Sequence, residues 1–271
     1  MHVGSGEVNY GVIDNLIQRD PVTSLPGINS SGLKGGIREF FRAKNALVKE
    51  VFGSEPKDDF NKTRPGKARF FEANLLSLPV RSDKTPYIMA TSVSVINELI
   101  DKLELFDCVG REGFVTALKS LINHKELQDL NQNDTTKAIV FDRKLEGACI
   151  EDADVKAVFK NITITSIVEE LLGTRLAILS DKFFTTLCDD NHLPVMARNN
   201  LNDGVSANLW YEQILPRYTR LYFMLMDSGI DSTITKDFYS ALSSKIFQIG
   251  ANASIGYGFC RFIELLIPQK K

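Results

Sequence analysis

Clustered metal and redox ligands are missing from this sequence. The three histidines, His2, His124 and His192, lie far apart. The four cysteines, Cys108, Cys149, Cys188 and Cys260, stand singly, with no Cys-x-x-Cys pair. A zinc site needs clustered ligands, so the pattern excludes one, and four packed thiols in a reducing compartment are expected. No apolar run approaches the roughly 20 residues that cross a bilayer. Met1–Gly6 lacks the basic cluster and apolar stretch of a signal peptide. A cytoplasmic protein with no membrane partner is the expectation. Excess charge of one sign is also absent: 32 Lys and Arg face 34 Asp and Glu, a formal net charge of −2. That argues against indiscriminate nucleic-acid binding and leaves room for a local basic groove.

The 271 residues suffice for one large domain or two small ones, and 44% hydrophobic with 24% charged is globular composition. Residues 1–33 read as ordered loop with two short β-like pieces, Gly11–Ile17 and Pro21–Leu25. Residues 34–52 carry an apolar stripe at helical spacing (Ile37, Phe40, Phe41, Ala43, Leu47, Val48, Val51), with Ser30 or Ser31 as cap and Gly53 as stop. Residues 54–69 read as a long exposed loop. A strand is expected within Phe70–Ser82, a turn at Asp83–Pro86, helices near Val93–Phe106 and Gly113–Leu130, and a strand at Ala138–Phe141. Arg175–Leu179 reads as a strand, with Ser180 capping a helix over Asp181–Cys188. Asn202-Asp203-Gly204 is turn chemistry between Leu193–Leu201 and Val205–Leu215, a hairpin. Arg220–Met226 reads as a buried strand, Thr235–Ile249 as an amphipathic helix and Phe259–Ile267 as a final strand. The outer parts alternate strand and helix around a middle of mixed helices and loops, an α+β pattern.

Gly27-Ile-Asn-Ser-Ser-Gly32-Leu33-Lys34 is close to a P-loop. Leu33 intrudes between Gly and Lys, and Gly35 stands where Ser or Thr would hold magnesium, so an NTPase is rejected. What survives is a small-residue loop opening a helix, whose N-terminal N–H groups suit phosphate. Lys34, Arg38 and Arg42 follow four residues apart on one expected helix face. Such a row is commonly a solvated face, and it also tracks a polyanion. Gly250–Gly258 places three glycines in nine residues, more than a connection needs, which allows close backbone approach to a ligand. Asp14 is a loop acid flanked by Gln18 and Arg19, with His2 upstream. A turn or cap is its ordinary role. RNA cleavage by the RNA's own 2′-hydroxyl also needs such a group. On the expected hairpin, Trp210-Tyr211-Glu212 has Trp210 packing and Glu212 facing solvent as its simplest reading. The functional one sets Tyr211 or Glu212 at a base or ribose.

Together these stretches resemble the RAMP (repeat-associated mysterious protein) superfamily, and within it the backbone subunit of the Cmr complex, the type III-B CRISPR effector. The resemblance rests on His2-Val-Gly-Ser-Gly6, Gly11-Val-Ile-Asp-Asn-Leu-Ile-Gln-Arg-Asp20, Ser30-Ser-Gly-Leu-Lys-Gly-Gly-Ile-Arg38, Leu75-Leu-Ser-Leu-Pro-Val-Arg-Ser82, Leu209-Trp-Tyr-Glu-Gln-Ile-Leu-Pro216 and Ile249-Gly-Ala-Asn-Ala-Ser-Ile-Gly-Tyr-Gly258, in family order. It implies an α+β fold with a modified RNA-recognition (ferredoxin-like) palm over residues 1–53 and 216–271. Inserted fingers would occupy 54–189, and a thumb β-hairpin 190–215. It implies copies stacked along CRISPR RNA, bound to other Cmr subunits, cutting a complementary single-stranded target RNA at regular intervals with a divalent cation, Mg or Mn. Asp14 matches the family's catalytic aspartate and would meet the metal. His2 and Glu212 match secondary residues around the cut. Arg19, Lys34, Arg38, Arg42, Gly250, Asn252, Gly256 and Tyr257 fall in RNA-contacting elements. A guide-coating scaffold without cutting, and a ribonuclease that processes CRISPR RNA, are the alternatives. Two departures stand out. Family members begin with a palm strand before the His-x-Gly-Ser-Gly segment, for which this sequence leaves no room, so a late start codon or a truncated sequence is expected. Asn29 stands where the family more often has glycine.

Overall fold

Phenylalanine organises one of the two units of the structure, a computed structural model describing residues 1–6, 11–54, 63–106, 110–132, 137–151, 153, 155–230 and 232–263. In chain order the elements are β1 (Gly27–Ile28), α1 (Ser30–Phe40), α2 (Asn45–Phe52), β2 (Ala68–Phe70), β3 (Ala73–Val80), β4 (Ile88–Ser92), α3 (Val93–Leu105), α4 (Arg111–Ile122) and α5 (Lys125–Gln132). There follow β5 (Lys137–Val140), β6 (Lys156–Phe159), α6 (Ser166–Leu172), β7 (Leu176–Leu179), α7 (Asp181–Leu187), β8 (Val195–Asn202), β9 (Val205–Gln213), β10 (Arg220–Tyr222), β11 (Leu225–Asp227), α8 (Ser232–Ser244), β12 (Ile246–Gln248) and β13 (Phe259–Arg261). They form two compact units: Met1–Asn74, Pro194–Leu215 and Phe223–Leu265 in one, Leu75–Leu193 and Pro216–Tyr222 in the other.

In the first unit the ring of Phe41 is fully buried, with those of Phe40, Phe238, Phe247 and Phe52 at 5.1, 5.4, 6.0 and 6.3 Å. Phe52 stacks on Phe70 at 5.3 Å, and Phe247 meets Phe262 at 4.9 Å. Each such pair contributes about 0.5–1.5 kcal/mol beyond the area it buries. The stripe expected over 34–52 is therefore core, but not one helix. The chain turns at Phe41–Lys44, which drives Phe41 inward and leaves Ala43 exposed. Helix α1 starts at Asn29 rather than on a serine cap. The Asn29 N–H is taken by Gln18 Oε1 (2.8 Å), and no side chain caps the helix. Gly53 ends α2 at φ 91°, as expected.

Other readings also shift. Pro21–Leu25 is a turn, not a strand. Asp20 Oδ1 accepts from Val22 N (3.0 Å), Thr23 N (2.6 Å) and Thr23 Oγ1 (2.9 Å), an Asx turn. Arg220–Met226 is two three-residue strands, β10 and β11, broken at Phe223–Met224 and only partly buried. Helix α8 stops at Ser244, and Ile246–Gln248 pairs with β13 as a strand. Of the loop read over 54–69, residues 55–62 lie outside the described residues, and 68–70 form a strand.

The second unit holds a mixed sheet, of which the sequence indicated β3, β5 and β7 and missed β4 and β6. Strand β3 pairs antiparallel with β4, β4 parallel with β7, β7 antiparallel with β5, and β5 parallel with β6. Helix α3 buries Val95, Ile96, Leu99, Ile100 and Leu103. The helical run over 113–130 is two helices, α4 and α5, parted at Asn123–His124. Ser180 caps α7 through Phe183 N (3.3 Å), as expected.

Hairpin β8–β9 turns at Asp203 (φ 49°) and Gly204 (φ 81°), successive positive angles that match the strand twist. The register shifts between Asn200 and Leu201. Most of β8 and β9 up to Leu209 is exposed on both faces.

Candidate functional site

Three neighbouring ribbons build the site, all within the first unit. Residues 14–18 run between the N-terminal segment and the end of β9. On one side Ser5 N donates to Leu16 O (2.9 Å) and Gln18 N to Val3 O (2.8 Å). On the other, Asn15 N donates to Tyr211 O (3.1 Å) and Gln213 N to Asn15 O (2.9 Å). Ile17 turns into the core, 2% exposed, while Asp14 stays exposed. The Asp14 carboxylate is aimed by a main-chain donor: Tyr211 N–H gives a 2.7 Å bond to Oδ2.

His2 is buried, with Nδ1 2.7 Å from the carbonyl oxygen of Gln213. A carbonyl has no proton to give, so Nδ1 donates. In the neutral ring this leaves the lone pair on Nε2. A Cβ on Gly4 would lie 3.2 Å from that Nε2, so the glycine makes room for the ring.

Glu212 is buried at 6% exposure, not solvent-facing. Trp210 Nε1 donates to Oε1 (2.9 Å), Asn252 Nδ2 donates to Oε2 (2.7 Å), and Arg198 Nε stands 4.0 Å from Oε2. The donors explain why a carboxylate is tolerated there. Both its oxygens are committed, so Glu212 holds the hairpin to the loop that carries Asn252.

That loop, Gly250–Gly258, is latched a second time, by Ala251 N to His2 O (2.9 Å). Gly250 (φ 90°) presses so close that a Cβ would lie 2.2 Å from His2 O, and at Gly258 (φ 78°) one would lie 2.0 Å from Ile249 O. Asn252 adopts a left-handed φ of 66°, and Tyr257 N donates to its carbonyl (3.2 Å). The Arg198 guanidinium lies 6.0 Å from the Tyr257 ring centroid. Gly256 borders open space.

Helix α1 packs beside this loop: a Cβ on Gly36 would lie 3.2 Å from Ile249 Cγ1. Lys34 and Arg38 are one helical turn apart. Partial burial, and then repulsion from Arg38, lower the Lys34 ammonium below its usual range. Arg38 Nη2 donates to Gly53 O (3.2 Å). Arg42 does not continue the row. It lies past the end of α1 in the Phe41–Lys44 turn and pairs with Glu39 at 3.2 Å. Arg19 Nη1 donates to Ser24 O (2.8 Å).

The structure thus unites Asp14, His2, Glu212, Gly250 and Asn252. Sequence reading missed Gln213, fully buried, whose carbonyl fixes His2 and whose Oε1 accepts from Ile17 N (3.3 Å), and it missed Arg198. The signal for Glu212 was present: in a strand it shares a face with Trp210, so a packed Trp210 implies a covered Glu212. Among the described residues no three His, Cys, Asp or Glu side chains converge as a metal cage. Asp14 offers one exposed carboxylate, which fits a hard divalent ion completed by water and substrate phosphate.

Residues 1–261 match the family model of the RAMP superfamily. The chain belongs to the RAMP superfamily. It is 28% identical over 282 residues to the CRISPR system Cmr endoribonuclease Cmr4 of Pyrococcus furiosus, covering 96% of this chain and 90% of the relative. It resembles a chain of the type III-B Cmr-beta complex bound to cognate target RNA (TM-score 0.75, 21% identity, 95% of this chain and 90% of that one). It also resembles oligomeric Cmr4 from Pyrococcus furiosus (TM-score 0.62, 20% identity, 95% and 93%). The α+β fold with an RNA-recognition-type palm is that of these RAMP structures. Among the described residues no helix is long and apolar enough to cross a membrane.

Proposed function

We propose that this RAMP chain is the backbone subunit of a type III-B effector, which coats CRISPR RNA in several copies and cuts the paired target RNA at Asp14. The observation that carries the reading is the double latch of the glycine-rich loop: Ala251 to His2, and Asn252 to Glu212. It ties the loop that would cradle a guide backbone to the residues around Asp14. The partners are CRISPR RNA, single-stranded target RNA, further copies of the chain and other Cmr subunits. The hairpin carrying Asn202-Asp203-Gly204 serves as the thumb.

In the cut, the 2′-oxygen of a target ribose attacks its own phosphorus. The P–O5′ bond breaks, leaving a cyclic 2′,3′-phosphate, and the departing O5′ takes a proton from water to become a 5′-hydroxyl. Asp14, exposed and aimed by Tyr211 N–H, receives the 2′-hydroxyl proton, directly or through a bound water. A divalent ion on Asp14, Mg or Mn, would neutralise charge on the phosphate. His2, with its lone pair on Nε2, stands as the neighbouring proton carrier, and Glu212 positions the loop. Lys34, Arg38, Arg19 and the exposed Arg42 meet guide phosphates, with Gly250, Asn252, Gly256 and Tyr257 lining the backbone cradle.

The test is cleavage by the chain assembled with guide RNA, set against the chain alone with precursor repeat RNA. Regularly spaced cuts in complementary target, and none in free repeat RNA, are expected. Cutting of repeat RNA without a target would make it a processing ribonuclease instead. The double variant Lys34→Ala, Arg38→Ala should weaken guide binding and lower the slope of log affinity against log salt by about 1.4, since two fewer phosphates are neutralised on a single strand. An unchanged slope in filter binding would mean that this face is merely solvated.

A further inference from the structure

The second unit carries an aromatic ladder far in sequence from Asp14. The Arg175 guanidinium lies 4.3 Å from the Tyr87 ring centroid, and Arg175 Nη1 donates to Thr85 Oγ1 (2.8 Å). Tyr87 stacks on Tyr218 at 5.2 Å with planes 19° apart. Arg217 lies 5.8 Å from the Tyr218 centroid. Tyr218 and Arg217 are exposed, Tyr218 at 58%.

The backbone holds this ladder against its own preference. Thr219 closes a turn on Pro216 O, through its N–H (3.4 Å) and its hydroxyl (2.8 Å). Tyr218 takes the third position of that turn at φ 72°, where glycine is usual. Arg175 is also left-handed, at φ 56°. Left-handed backbone costs a bulky residue roughly 1–2 kcal/mol. A strained turn that presents a stacked tyrosine to solvent, with an arginine 5.8 Å from its ring centroid, is costly as packing and well formed as a platform.

We propose that Tyr218 and Arg217 bind a nucleobase of single-stranded RNA, the base stacking on the outer face of Tyr218 while Arg217 meets the adjoining phosphate. The proposal rests on the chain being an RNA-coating subunit, and it adds a site in the unit that lacks Asp14. Aromatic faces backed by arginine suit any base, because every base has a π-face. Arginines on both sides of the tyrosine pair favour a polyanion over an apolar protein segment.

The test uses the assembled complex with 5-iodouridine placed in the guide in one arm and in the target in the other. Irradiation is expected to crosslink one of the two RNAs to the peptide containing Tyr218. Tyr218→Asn keeps a residue that tolerates the left-handed turn but removes the ring. It should abolish the crosslink and weaken binding of that RNA about tenfold with the salt slope unchanged. Arg217→Ala should lower the slope. No crosslink at Tyr218 from either RNA, with a Tyr218→Asn chain of unchanged melting temperature, overturns the site. Unchanged RNA affinity with lost assembly would also overturn it, and would assign the platform to a protein neighbour. If Asp14-dependent cutting persists while the crosslink is absent, only this site fails. If the chain binds no guide RNA, both readings fail.

Discussion

Asp14→Ala, assembled with guide RNA, should hold a complementary target with unchanged affinity and cut it about 10²–10⁴-fold more slowly, the usual contribution of a positioned proton-transfer group. Little else is expected to move, because Asp14 is exposed and its one described bond is to Tyr211 N. Losing that bond costs about 1 kcal/mol. Asp14→Asn separates chemistry from architecture. The amide oxygen still accepts from Tyr211 N–H, so the ribbon stays in place, yet an amide is a poor proton acceptor. Both variants should fail alike in single-turnover cleavage. Full cutting by either would remove Asp14 from the reaction. Loss of guide binding in the alanine variant alone would reassign it to structure.

The second large effect belongs to Gly250. Gly250→Ala puts a methyl group where 2.2 Å separates it from His2 O, at a φ of 90° that an L-residue rarely adopts. Neither the carbonyl nor the loop can give way without breaking the Ala251–His2 bond. A destabilisation of about 3 kcal/mol or more in chemical denaturation is expected, with guide binding and cutting lost together. Gly256→Ala is the control. Its φ is 85°, but no atom lies within 4 Å of the added Cβ. It should cost only the backbone term, roughly 1–2 kcal/mol. Equal losses in the two variants would show that conformation, not the close approach to His2, makes Gly250 necessary.

Where local chemistry is decisive, the sequence was readable. Asn202-Asp203-Gly204 specified its turn, Ser180 its cap, and Gly53 the end of α2. Where two signals competed, it was not. The stripe from Ile37 to Val51 looks continuous because Phe41 belongs to the core, but Phe41 reaches the core by leaving the helix. Ile88–Ser92 and Lys156–Phe159 are runs too short to tell a strand from a helix fragment, so β4 and β6 were missed while β3, β5 and β7 were read as strands. The same limit applies to the site. Gly250 and Gly258 showed as glycine-rich, but nothing local could say that one of them abuts His2, nearly 250 positions away. Family resemblance singled out Asp14, while its aiming by a backbone N–H became visible only in three dimensions.

The hairpin that spans Val195–Gln213 has one last consequence. Its root is woven into a third ribbon through Asn15, while its far half is bare on both faces and held by cross-strand pairs alone. A two-stranded ribbon of that kind is marginal in water. It therefore acts as a tapered spring, stiff beside Asp14 and increasingly compliant toward Gly204. If the hairpin is the proposed thumb, its tip can yield to curvature along an RNA without transmitting that bend to the carboxylate at its base.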